Sequence, residues 1–428
     1  MRRPTARFES LTAWLEWQET LHPSAIDLGL ERVGRVADRI GCRRPAACVI
    51  SVAGTNGKGS SIALLEAVLL HAGYRVGCYT SPHLHRYNER VRIQGEAVSD
   101  QSLCEAFALV DQARGCDTLT YFEFGTLAAF DILRRARLDV AVMEVGMGGR
   151  LDAVNILDAD AALITSIGID HTQWLGPDRE SIGREKAGIL RAGKPAVCGD
   201  RDPPASLIQS AGECATRLHI LGADFDFGTD GRRWDWRGEH LTYRDLPRPG
   251  LAGAHQLANA ASVLMVLELL QDRVAIDRQA IVDGLSMTKL PGRIETITGK
   301  VEQVLDVSHN AQAAGALFDT LARRTTRGAT YAVIGMMADK DVEGFARVLD
   351  PAITHWYAAG LAVPRASAPE ALAQRIAASV GADRVSSHRN LAQASEAVWS
   401  RVQSGDRVVV CGSFYTVAEW TSLNSAFE

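Results

Sequence analysis

The 428-residue sequence has no apolar stretch long enough to cross a bilayer as a helix. Its start, with Arg2 and Arg3 followed by polar residues, lacks the apolar core of a secretory signal, so no leader is expected. Its eight cysteines are scattered, with no C-x-x-C pair and no zinc-finger spacing. Such cysteines read as reduced thiols of a cytoplasmic protein, each by default a small buried apolar residue. Positive charge is not in surplus, since the formal net charge is -5. Nucleic acid and membrane are therefore not expected partners, and an anionic substrate has to be met by local cations. Repeats and low-complexity segments are also missing. What remains is an ordinary globular composition, at a length that fits two or three domains.

The most informative segment follows the apolar run Ala47 to Ile50. It reads Ser51-Val-Ala-Gly-Thr-Asn-Gly-Lys-Gly-Ser60, and an apolar helical pattern begins at Ile62. A strand, a Gly-rich turn with one lysine and a helix make a phosphate cradle. The glycines let backbone N–H groups turn inward, the helix N-terminus adds its dipole, and Lys58 faces the β- and γ-phosphates. The segment departs from the general P-loop G-x-x-x-x-G-K-[ST]. Val52 stands at the first glycine position and Gly59 follows the lysine, with a hydroxyl only at Ser60.

Strand patterns recur at 47–53, 76–80, 140–145, 161–167 and 196–198, with helices at 62–72 and 124–134 between them. Two helices, 8–19 and 28–40, precede the series. This alternation predicts a doubly wound, mostly parallel sheet. Residues 224–246 alternate apolar and polar around Gly228, Gly231 and Gly238, which predicts an antiparallel hairpin appendage. A helix at 256–270 and a turn at Lys289-Leu-Pro-Gly-Arg293 follow. A second series has strands at 301–307, 331–335, 355–359 and 408–411 and helices at 311–323, 342–349, 370–379 and 391–402. The expected division is an ATP-binding P-loop domain over 1–290 and a smaller Rossmann-like α/β domain over 296–428.

Doubly wound sheets bind ligands at the C-terminal ends of their strands. Lys58 and Ser60, then Ser81, Pro82 and His83, then Glu144, then Asp170 and His171 occupy such ends. A lone Glu or His at a strand end is more often structural. Four such positions beside a phosphate cradle favour a metal–nucleotide site. Gly146-Met-Gly-Gly149 superficially reads as a dinucleotide loop, but Leu151 occupies its third glycine position, which disfavours a dehydrogenase.

The ordered set Gly54-Thr-Asn-Gly-Lys-Gly-Ser60, Thr80-Ser-Pro-His-Leu84, Asn88-Glu-Arg90, Tyr121-Phe-Glu-Phe-Gly-Thr126 and Glu144-Val-Gly-Met-Gly-Gly-Arg-Leu-Asp152 continues downstream. It goes on through Asp170-His-Thr172, Arg184-Glu-Lys-Ala-Gly-Ile189, Pro291-Gly-Arg293, Asp306-Val-Ser-His-Asn310 and Asp339-Lys-Asp341. From about residue 7 onward the chain closely resembles the folylpolyglutamate synthase/dihydrofolate synthase family, related to the Mur peptidoglycan ligases. The resemblance implies an ATP-dependent amide ligase. A pterin-bearing carboxylate takes the γ-phosphate, and the acyl phosphate is captured by the amine of L-glutamate. The alternatives are a ligase with one of the two family activities, a Mur-type ligase, which Gly59 disfavours, and a nucleotide-controlled switch without ligase chemistry.

The resemblance also implies roles. Gly54, Thr55, Asn56, Gly57, Lys58, Gly59 and Ser60 wrap the phosphates of ATP, and Asn259, Arg293 and Asp306 complete the nucleotide contacts. Ser81 and Glu144 match Mg²⁺ ligands, and His171 a ligand of a second Mg²⁺. Lys186 matches a lysine that can be carbamylated; the plain alternative is a surface lysine. Thr120, Tyr121, Phe122 and Glu123, with Leu151, Asp152 and Ala153, match the dihydropteroate or reduced-folate segments. For Phe122 the plain alternative is core packing. His309 and Asn310 are expected on the L-glutamate side. The resemblance further implies a monomer whose site closes across two domains. Ser308 and Ala311 depart from the family pattern Asp-x-Ala-His-Asn-Pro.

Overall fold

The structure is a computed structural model and describes residues 6–324 and 326–424. The chain divides into two compact units. The first comprises residues 1–167, 175–250 and 258–288; the second comprises 168–174, 251–257 and 289–428.

The first unit is built on an eight-stranded sheet of β1 (Ala46–Ala53), β2 (Val76–Tyr79), β3 (Val91–Ile93), β4 (Glu96–Ala97), β5 (Leu138–Glu144), β6 (Ala161–Ile164), β7 (Ala196–Cys198) and β8 (Leu218–Ile220). Its strand order is β4-β3-β2-β5-β1-β6-β7-β8. All pairs are parallel except those that β3 makes with β2 and with β4, at one edge. The central strands β1, β5 and β6 are apolar and buried nearly throughout, as parallel strands covered on both faces must be. One core gathers Val49, Ala53, Ala141, Met143, Ala162 and Ile164 from these strands. Helices α1 (Leu11–Leu21), α2 (Glu31–Ile40), α4 (Asp100–Arg114) and α5 (Tyr121–Arg135) bring Trp14, Val33, Phe107 and Phe124 to it. Helix α3 (Lys58–His71) is buried along most of its length, because it lies between the sheet and α10 (Arg278–Met287). A Cβ at Gly284 of α10 would stand 2.5 Å from the Val68 Cα, so only glycine permits this approach. Helices α6 (Thr172–Leu175), α7 (Arg179–Ala187), α8 (Ala205–Glu213) and α9 (His255–Leu269) complete the series in chain order.

The expected hairpin at 224–246 is a three-stranded antiparallel sheet, β9 (Asp226–Thr229), β10 (Arg233–Arg237) and β11 (Thr242–Pro247), with β10 central. Trp234 and Trp236 of β10 are buried, and their indole N–H groups donate to Pro247 O (2.8 Å) and Ala261 O (3.0 Å). The period-2 pattern therefore marks one buried face against α9.

The second unit has the sheet β12-β13-β17-β14-β15-β16. Its strands are β12 (Glu295–Ile297), β13 (Glu302–Leu305), β14 (Thr330–Ile334), β15 (His355–Ala359), β16 (Val385–His388) and β17 (Arg407–Cys411), and only β12 is antiparallel. Helices α11 (Ala311–Ala322), α12 (Val342–Leu349), α13 (Pro369–Val380), α14 (Leu391–Trp399) and α15 (Phe414–Asn424) alternate with the strands. Val304, Leu317, Ile334, Trp356, Leu372 and Val409 lie in its core. Both units are thus α/β, with mostly parallel sheets.

Candidate active site

The cradle is built where β1 ends. Helix α3 starts at Lys58, four residues ahead of the apolar pattern, so Lys58, Gly59 and Ser60 form its first turn. That turn leaves backbone N–H groups without intrahelical partners, which is what an anion needs. Gly57 caps the helix at φ 92°, and Gly54 adopts φ 151°. A Cβ at Gly54 would stand 1.8 Å from Thr165 Oγ1, and one at Gly57 would stand 2.6 Å from Asn259 Oδ1. The loop is held from β6: Thr55 N donates to Ser166 O (2.7 Å), and the Thr165 and Ser166 hydroxyls donate to Asn56 O (2.7 and 3.1 Å). For this reason β6 stops at Ile164 and does not run to Ile167 as its apolar pattern predicts. Lys58 Nζ folds back onto Gly54 O (3.1 Å) and Thr55 O (3.4 Å), inside the loop it serves.

The neighbouring strand ends carry Ser81 and Glu144, the residues expected to hold Mg²⁺. Glu144 closes β5 opposite Val52 of β1 and is 5 % exposed. Ser81, just past β2 and before a cis Ser81–Pro82 bond, donates its N–H to Glu144 Oε2 at 2.9 Å. Ser81 and Glu144 offer oxygen donors only, which suits a hard cation that takes its other ligands from water and phosphate. Among the described residues no group of three or more His, Cys, Asp or Glu has metal-holding geometry.

The expected acceptor segments are well ordered. Thr120 and Glu123 form a reciprocal cap on α5, and Arg32 of α2 grips both Glu123 oxygens (2.9 and 3.0 Å). The Glu123 carboxylate thus holds the start of α5. Arg32 also binds Asp27, a link that no motif in the sequence revealed. The Phe122 ring is half-buried and lies against Gly146 and near Tyr79, 6.2 Å between centroids. Asp152 accepts from Met147 N and Val154 N (both 2.9 Å), folding the Gly-rich loop back on itself. Burial pushes its carboxyl up to about 6, against those backbone N–H groups and the Lys58 charge. Leu151 and Ala153 flank it, and Ala153 opens a short 3₁₀ turn.

Lys186 on α7 is 3 % exposed, which removes the surface-lysine alternative. A Cβ at Gly149 would stand 2.6 Å from Glu185 O and 3.0 Å from Lys186 Cα, so the Gly-rich loop packs directly on this turn of α7.

In the second unit Asp306 is buried and accepts from Ile294 N (2.8 Å) and Ser308 N (3.0 Å), while Arg293 lies over the Phe414 ring at 4.9 Å. Ser308 Oγ is buried without a partner among the described residues, so the hydroxyl that departs from the family pattern makes no contact there. Asn310 caps α11, its side chain accepting from Ala313 N at 2.9 Å. His171 adopts φ 52° beside Asp170. Asp170 receives Lys340 Nζ (2.5 Å), Asn310 Nδ2 (3.1 Å) and His309 Nε2 (3.4 Å). Burial alone would raise the Asp170 carboxyl; His309, His171 and Lys340 outweigh it and hold the group well below the ordinary range. Asp170 and Lys340 stand in motifs visible in the sequence, but their pairing across 170 positions is not.

Residues 52–267 match the Mur ligase middle domain, and residues 292–414 match the Mur ligase, glutamate ligase domain. The dihydrofolate synthase/folylpolyglutamate synthase of Escherichia coli (strain K12) is 42 % identical over 418 residues, covering 98 % of this chain and 96 % of that protein. The solved structure described as E. coli FolC in complex with DHPP and ADP superposes with a TM-score of 0.94 at 42 % identity, covering 99 % of each chain. A bifunctional folylpolyglutamate synthase/dihydrofolate synthase with Mn, AMPPNP and L-glutamate bound gives 0.90 at 43 % identity, covering 98 % of this chain and 99 % of that one. With this likeness running the full length, the chain belongs to the dihydrofolate synthase/folylpolyglutamate synthase family of ATP-dependent, Mur-type ligases.

Proposed function

We propose that this ligase adds L-glutamate both to dihydropteroate and to reduced folates, through an acyl phosphate. The observation that carries the reading is the cradle at Gly54–Ser60 set beside the Ser81–Glu144 pair. A carboxylate repels nucleophiles and has no good leaving group; phosphorylation removes both obstacles. The first-turn N–H groups of α3 and Lys58 bind the triphosphate and stabilise charge on the transferred group. A divalent cation held by Ser81 and Glu144 supplies further charge neutralisation, and His171 is assigned to a second one. Asn259, Arg293 and Asp306 orient the nucleotide. Tyr121, Phe122 and the Leu151–Ala153 turn take the pterin-bearing acceptor, and His309 takes L-glutamate. A carbamate on buried Lys186 would turn a cation into an anion able to orient the metal. An intact mass that falls by one CO₂ on acidification would support the carbamate; an unmodified mass at neutral pH would rule it out.

In this reading the protein works as a cytoplasmic monomer on small molecules, and sedimentation at micromolar concentration checks the oligomeric state. The deciding experiment is ATP-to-ADP turnover with L-glutamate, comparing dihydropteroate with tetrahydrofolate. Turnover with both, with glutamate in each product, is the expected result. Turnover with one acceptor alone reduces the protein to that activity, and silence with both overturns the folate assignment.

A further inference from the structure

We propose that His83 contacts the acceptor, donating its Nε2–H to the carboxylate that becomes phosphorylated; this rests on the ligase reading above. His83 stands two residues past Ser81, at the end of β2 where the Ser81 N–H meets Glu144. Arg90, only 9 % exposed, donates Nε to His83 Nδ1 at 3.0 Å. A guanidinium can only donate. Nδ1 must therefore be the bare nitrogen, and the ring proton sits on Nε2. Arg90 is itself held in place, its guanidinium lying over Tyr87 (5.0 Å) and Tyr121 (5.7 Å). The His83 ring packs 5.8 Å from that of Tyr87. Among the described residues no hydrogen-bond partner stands at His83 Nε2, and that atom is not sealed from solvent.

The result is a neutral donor of fixed direction. It follows Ser81 by two residues, and the Arg90 that anchors it lies 5.7 Å from the ring of Tyr121, the first residue of α5. In the ligase reading a carboxylate about to attack phosphorus stands between the metal pair and the acceptor segment that Tyr121 opens. A neutral N–H orients such a carboxylate without the full ion pair that would damp its nucleophilicity.

Steady-state kinetics on His83→Gln and His83→Phe test it. Phe keeps a ring without a donor, whereas Gln keeps an N–H donor and an acceptor for Arg90. His83→Phe should lose about 10- to 100-fold in kcat/KM for dihydropteroate, the range of one hydrogen bond to a charged group. KM for ATP should be unchanged, and His83→Gln should recover most of the loss. If His83→Phe does not melt like the wild type, His83→Glu, similar in size to Gln but without the donor, takes its place. Wild-type kcat/KM in a folded donor-less variant overturns the proposal. A folded Gln variant as impaired as the donor-less one indicates packing alone and also overturns it. Wild-type protein inactive with both acceptors would instead overturn the ligase reading itself.

Discussion

At the scale of single residues, Lys58 lies inside the P-loop and Glu144 meets Ser81, and a substitution at each tests the proposed role. Lys58→Ala removes the one side-chain cation of the cradle, and kcat should fall about 100- to 1000-fold with the fold intact. Near-normal turnover would move the phosphate site elsewhere. Glu144→Ala should raise the magnesium requirement sharply, and an unchanged magnesium titration would displace the metal from this strand end. Gln18 of α1 makes a different point: it is 1 % exposed, and neither Nε2 nor Oε1 has a partner among the described residues. A buried, unmatched amide costs about 1–3 kcal/mol, so Gln18→Leu should stabilise the protein by a similar amount. A higher urea midpoint at unchanged slope is the expected reading; a lower midpoint would mean that the amide has a partner in solution. Lys58 was legible in the sequence because its spacing is local. Gln18 was not, because burial of a helical glutamine depends on which elements close over it.

At the scale of elements, most strands and helices follow their apolar patterns, while the ends are set by tertiary contacts. Strand β6 ends early because Thr165 and Ser166 turn to the P-loop, and α3 begins early because the cradle is its first turn. Helices α4, α6, α7, α8, α10 and α15 and strands β3, β4, β8, β12 and β16 were not anticipated; short length or a polar face dilutes the periodicity on which such a reading depends. The cradle also depends on glycine where a side chain has no room. Gly54→Ala meets both φ 151° and Thr165 Oγ1, so it should abolish nucleotide binding while shifting the melting temperature only modestly. ADP binding by calorimetry decides this: wild-type affinity would show that the loop can relax around a methyl group.

At the scale of the whole molecule, acid should weaken the second unit through its buried histidines. His255, His355 and His388 all lie in the second unit, and burial lowers each of them below the ordinary histidine value. The unfolded chain takes up protons that the folded unit resists, so stability present at pH 7.5 is lost as pH falls below about 6.5. The lowered Asp170 carboxyl continues that loss at lower pH, below the ordinary aspartate value. In the first unit burial lowers His83 in the same sense, to about 4, and Asp152 works the other way. Its raised value, about 6, means the folded state holds a proton that the unfolded state has released, so its contribution favours folding as pH drops through 6. Hydrogen exchange read peptide by peptide at pH 7.5 and 5.5, corrected for intrinsic rates, should show protection falling in residues 289–424. Unchanged protection there would refute the histidine contribution.

The sequence alone determined the α/β class, the P-loop and the family, because these rest on local runs: apolar strands, a Gly-rich turn with one lysine, and motifs in fixed order. The tertiary structure decided what those residues touch. Parallel strands bring Ser81 to Glu144 across 63 positions, packing of α2 on α5 brings Arg32 to Glu123 across 91, and the second unit brings Lys340 to Asp170 across 170. It also decided that Lys186 is buried and that Arg90 fixes the proton of His83. Hydrogen bonds and burial join residues whose separation along the chain carries no periodicity, so no local pattern could announce them.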